Sequence, residues 1–86
     1  MNWDNFSLDL VDGVVQLKWI CDDTNYSTIM TPSDVREFVE LCAQAAEDAQ
    51  EGDDILMFEY IDRFFELYIA DVRIIAQRKE EILHLL

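Results

Sequence analysis

Apolar and polar positions alternate on both sides of Asp12-Gly13, and that pattern predicts an antiparallel hairpin. A two-residue turn there pairs Val11 with Val14, Leu10 with Val15, Leu8 with Leu17 and Phe6 with Trp19. The last three pairs share a face, while Asp9 meets Gln16 and Ser7 meets Lys18 on the other. A slip of one residue would turn every large side chain to the wrong face, so the register is specified. Asp22-Asp23-Thr24-Asn25 predicts a second turn. With Cys21 opposite Tyr26, Trp19 opposite Thr28 and Leu17 opposite Met30, the result is a three-stranded meander over about residues 4–11, 14–21 and 26–30. Its inward face carries Phe6, Leu8, Leu10, Val15, Leu17, Trp19, Tyr26 and Met30. Val11, Val14, Ile20 and Ile29 are scattered among polar residues on the back.

The period then changes to that of a helix. Thr31 suits the N-cap, Pro32 the first helical position, and Asp34 the positive helix end. Val35, Phe38, Val39, Cys42, Ala45, Ala46 and Ala49 follow at helical spacing, and Gly52 marks a stop. The helix is expected over about residues 32–51. From about 54 to 85 the chain reads as a second helix. Met57, Ile61, Phe64, Tyr68, Val72, Ile75, Ile82 and Leu86 mark one apolar face of it, and Phe58, Phe65, Ile69, Ala76 and Leu83 a second beside it. The expectation is one α+β domain over residues 1–86, in the order βββαα. A helix of about 50 Å, apolar over most of its circumference, needs more cover than one small sheet provides. A homodimer through Phe58, Phe65, Ile69, Ala76 and Leu83 satisfies that need.

Charge changes the picture. The chain has 19 acids against 6 Lys and Arg, a net charge of −13. Thirteen of the acids lie in residues 1–54, opposed there only by Lys18 and Arg36. With half its residues apolar (51%) and 12% aromatic, the chain is expected to fold, so the acidity is held on fixed geometry. Phosphates would meet a negative field, which argues against direct binding of nucleic acid or an anionic membrane. On the first helix Glu37, Glu40, Gln44, Glu47, Asp48 and Glu51 form a polar face whose charges are all negative. Solvated faces usually mix the signs. Glu37, Glu40, Glu47, Asp48 and Glu51, aided by Asp22 and Asp23, are therefore the candidate partner-binding residues.

Catalytic chemistry has no foothold. The single histidine, His84, is close to the end of the chain, and Gly13 and Gly52 alone cannot make a phosphate loop. Cys21 and Cys42 lack zinc-ligand spacing and fall on apolar faces, as reduced, buried small hydrophobes do. No catalytic residue, cofactor or metal is expected. The first residues show no secretory signal, and no run of eighteen apolar residues offers a membrane span, so an intracellular, cytoplasmic protein is expected.

In size, acidity and sheet-plus-helix make-up the whole chain resembles small phage-encoded inhibitors, the anti-CRISPR proteins and DNA mimics, and also acidic immunity proteins that cap nucleases. The resemblance implies a basic nucleic-acid-binding partner, a CRISPR effector or a nuclease in the host cytoplasm, blocked by occupation of its DNA or RNA channel. The competing reading is a homodimeric adaptor that meets its partner through the apolar face of the long C-terminal helix, with Phe58, Phe65 and Tyr68 as anchors.

Overall fold

A computed structural model describes residues 1–86. Four strands, β1 (Asn2–Trp3), β2 (Phe6–Val11), β3 (Val14–Cys21) and β4 (Thr24–Met30), form an antiparallel sheet in sequence order. Helix α1 (Pro32–Asp48) follows, then a second antiparallel pair, β5 (Ile55–Tyr60) and β6 (Arg63–Tyr68). Two short helices, α2 (Ile69–Gln77) and α3 (Lys79–Leu85), end the chain.

The β2–β3 pairing has the predicted register throughout, from Phe6 opposite Trp19 to Val11 opposite Val14. Asp12 and Gly13 both take positive φ, as this tight turn requires. The β3–β4 pairing differs from expectation by two residues: Cys21 meets Thr24, Trp19 meets Tyr26 and Leu17 meets Thr28. Asp22 and Asp23 make the turn alone, at φ 49° and 62°. Asp tolerates the left-handed region better than most residues, so the shorter turn forms and β4 starts at Thr24 rather than 26. A shift of two keeps every side chain on its face, so the core pattern survives. Leu10, at the strand end, is exposed instead of buried.

The βββαα order is overturned. The sheet has four strands, because Asn2–Trp3 folds back onto β2 and the strand expected over 4–11 begins at Phe6. Helix α1 has the predicted cap, Thr31 Oγ1 accepting from the Asp34 N–H at 3.2 Å, with Pro32 in the first turn. It ends at Asp48, ahead of 51, where Ala49 turns extended. Most importantly, the helix expected over 54–85 does not exist. Its first half is the β5–β6 hairpin, and the rest is divided by Arg78 at φ −99° into α2 and α3. Residues 55–60 are almost wholly apolar and fit both periods; strand wins because Leu56, Phe58, Phe65 and Leu67 then share one face that packs on the first sheet.

Trp19 is the hub of that packing. Trp3, Phe6, Trp19 and Tyr26 stack in series across all four strands, with centroids 4.9, 5.4 and 5.5 Å apart and planes within 18° of parallel. Trp19 also contacts Phe65 at 5.5 Å and Phe58 at 6.1 Å, and its Nε1 donates to the Glu66 carbonyl at 2.7 Å. Phe58 continues to Phe38 of α1 at 5.4 Å. One aromatic array thus joins sheet, hairpin and helix, each pair adding about 0.5–1.5 kcal/mol beyond its buried area. Helix α2 packs against α1 and closes the core with Ile69, Val72 and Ile75.

Candidate partner-binding surfaces

The acidic residues singled out above are all exposed, but they fall into separate groups. Helix α1 presents Glu37, Glu40, Glu47 and Asp48 along one face. Lys79 of α3 pairs with Glu40, the single ion pair between side chains. Gln44 Nε2 donates to both Asp48 oxygens, at 3.3 and 3.2 Å. Glu37 and Glu47 have no partner in any hydrogen bond or ion pair. Glu51 lies beyond the helix in the loop 49–54. Asp22 and Asp23 sit at the β3–β4 turn, where the Asp22 N–H donates to the Tyr68 hydroxyl at 2.9 Å. That turn and the loop share a shallow cleft of about 460 Å³ between Asp22, Asp53, Asp54 and Arg73. Seventeen of the nineteen acidic side chains have no cation within 4.0 Å.

The residues expected at a dimer interface are placed differently. Phe58, Phe65 and Ile69 are buried in the chain's own core, and Ala76 and Leu83 are half-buried on α2 and α3. The continuous helix that was to present them is absent, because the hairpin covers its own aromatic residues. The adaptor surface built on that helix is lost with it. Tyr68, its third anchor, is half-buried and hydrogen-bonded to Asp22.

A surface that the helical reading concealed lies on the outer side of the hairpin. Glu59 pairs with Phe64 and Met57 with Glu66, so Met57 and Phe64 are diagonal neighbours on one face. Ile61 continues the apolar line into the turn. Met57 is 64% exposed, Phe64 70% and Ile61 71%. The crossing diagonal is Glu59 and Glu66, and Asp62 follows Ile61 at the tip. The turn is strained: Ile61 has φ 48° and Asp62 φ 59°, and a β-branched residue is rarely found there. Strand alternation with aromatic enrichment was the available signal for this hairpin, but no Asn, Gly or Pro marks its turn.

Inside the molecule, polar groups do structural work. Asp71 of α2 is 3% exposed; its Oδ1 accepts from Trp3 Nε1 at 3.1 Å, and its Oδ2 has no partner. Burial raises its pKa against the lowering effect of the Trp3 bond, and nearby Asp4 raises it further. Cys42 is pushed up to about 12 by burial. Ligand atoms of Cys21, Asp22 and Glu66 lie within 4.8 Å of one another. Burial raises the Cys21 pKa, with the charges of Asp22, Glu66 and Asp71 adding to it. Both cysteines are free and buried. His84 is exposed in the last turn of α3, and no helix is long and apolar enough to cross a membrane.

No protein-family model matches this chain, and neither a curated protein nor a solved structure matches it significantly.

Proposed function

We propose that this protein is a non-enzymatic acidic inhibitor that occupies a basic nucleic-acid-binding surface, of a nuclease or a CRISPR-type defence complex, and denies it nucleic acid. The observation that carries the reading is the α1 face, where Glu37, Glu47 and Asp48 stand exposed on a capped helix without a basic partner. Glu37, Glu40, Glu47 and Asp48 are four unevenly spaced acids over about 17 Å of helix axis, with Glu40 paired to Lys79. On average they place one negative charge per roughly 5 Å. One strand of duplex DNA carries one per ~3.4 Å, a similar density. A rigid array of this kind is attracted to a groove built for phosphates, steers association and loses affinity as salt rises.

The test is capture of partners from lysate on the immobilised protein at about 50 and 500 mM salt, with mass spectrometry, beside a Glu37→Lys/Glu47→Lys variant. The expected partner binds nucleic acid, is released at high salt and is lost by the variant. The purified partner should then lose its DNA or RNA in the presence of this protein. A partner that survives both high salt and charge reversal would overturn the reading.

A further inference from the structure

We infer that the outer face of β5–β6 is a docking site for a basic amphipathic helix of the partner. The inference deepens the reading above and rests on its basic partner. Met57, Phe64 and Ile61 form an apolar line, each at least 64% exposed, on the tip half of a sheet face. The other half of that face, Ile55, Glu66 and Tyr68, is half-buried against the rest of the chain. The inner face of the same hairpin packs on the core, with Phe58, Phe65 and Leu67 buried. A two-stranded sheet with an apolar patch left bare lacks part of its next layer, and an amphipathic helix is one element that covers such a patch.

Charge selects the occupant. Glu59 stands opposite Phe64 and Asp62 beside Ile61, both exposed, so carboxylates flank the apolar line at its tip. Glu66, opposite Met57, is half-buried with its carboxylate near Cys21 and Asp22. The hairpin's single cation, Arg63, has its guanidinium 4.9 Å from the Phe65 ring, on the inward-facing set of side chains. A second copy of this chain would bring a −13 surface against itself and place like charges around the contact. An anionic membrane or nucleic acid meets the same repulsion. A helix with a Leu- or Phe-type stripe and flanking Lys or Arg satisfies both the line and its rim.

The tip points the same way. Asn or Gly would make the Ile61-Asp62 turn without strain, yet an exposed isoleucine occupies φ 48°. Its side chain extends the apolar line by one residue, which is a use for a residue that the turn itself disfavours.

The experiment uses the full chain and three synthetic 14-residue peptides: Leu and Lys at helical spacing, the same with Ser for Leu, and the same with Glu for Lys. Binding is followed by NMR shifts of assigned backbone and methyl groups. The Leu/Lys peptide is expected to bind at least tenfold more tightly than either control, with shifts centred on Met57, Ile61 and Phe64. Ile61→Asn and Phe64→Ser should each weaken it about tenfold while leaving the spectrum of the folded chain intact. Equal binding of Leu/Lys and Ser/Lys peptides, with shifts on α1, would overturn the docking site and leave the acidic-inhibitor reading standing. Failure of both basic peptides to bind would overturn both. Equal binding of the Leu/Glu peptide would remove the basic requirement and overturn the proposal. Self-association of the chain alone in sedimentation, abolished by Phe64→Ser, would assign the face to a second copy and overturn it as well.

Discussion

Tyr60, the last residue of β5, donates its hydroxyl to Asp34 Oδ2 in the first turn of α1 at 2.6 Å. This bond joins the tip of the hairpin to the start of the acidic helix, and so fixes the apolar line relative to Glu37. Burial, helped by the Asp34 carboxylate, pushes the Tyr60 phenol from its ordinary 10.0 up to about 12.

Tyr60→Phe removes the bond and should cost about 1 kcal/mol, read as a lower urea midpoint at pH 7. The pH dependence carries a sign. Because the folded-state pKa is the higher one, the stabilising contribution is complete below pH 10.0 and lost as pH rises through about 12. The native chain should therefore lose its advantage over Tyr60→Phe across that window. A constant difference between the two would show that the hydroxyl is not held as described.

Ile61→Asn should stabilise the chain by about 1 kcal/mol, because Asn accepts the left-handed conformation that a β-branched residue resists. The measurement is again a denaturation midpoint. A loss of stability would mean that Ile61 packs against the fold rather than lying free at the tip.

Asp71→Asn keeps the acceptor for Trp3 Nε1 and removes a buried charge. The folded-state pKa of Asp71 is raised, so its contribution is present below 3.8 and lost as pH rises through the folded value. The variant should be more stable than the native chain at pH 7, by about 1 kcal/mol, and no more stable at pH 3.5. Urea unfolding at the two pH values checks both halves of the expectation.

With seventeen acids lacking a cation partner, the chain repels itself. Sodium chloride at about 0.5 M, where screening acts within a few ångströms, should raise the melting temperature by several degrees. A melting temperature that falls with salt would show that attractive pairs dominate instead.

The first half of the molecule was legible in its residues because local chemistry dictates it. Asp12-Gly13 admits one tight turn, and the alternation on either side then admits one register, which the β2–β3 pairs follow. Thr31-Pro32 starts a helix with the same economy. The β3–β4 turn was ambiguous because two residues and four both fit the Asp22–Asn25 cluster, and side-chain parity is identical for both. Of the candidate site, the α1 stripe is where helical spacing put it, although the pairing of Glu40 with Lys79 joins residues 39 positions apart and has no local signature.

Residues 55–68 are the contrary case. So many are apolar that helical and strand periods both find a stripe, and no Asn, Gly or Pro marks the turn between β5 and β6. What selects the hairpin is Trp19, whose ring receives Phe58 and Phe65 and whose Nε1 binds the Glu66 carbonyl. β1 is equally non-local: two residues hold their place because Trp3 stacks on Phe6 and donates to Asp71. The sequence alone determined the Asp12-Gly13 turn, the Thr31 cap, the apolar faces of β2, β3 and α1 and how acidic the chain is, since these are properties of neighbouring residues. Only the tertiary structure decided that Phe58 and Phe65 lie inside while Met57, Ile61 and Phe64 remain outside, because burial depends on the area a distant surface offers.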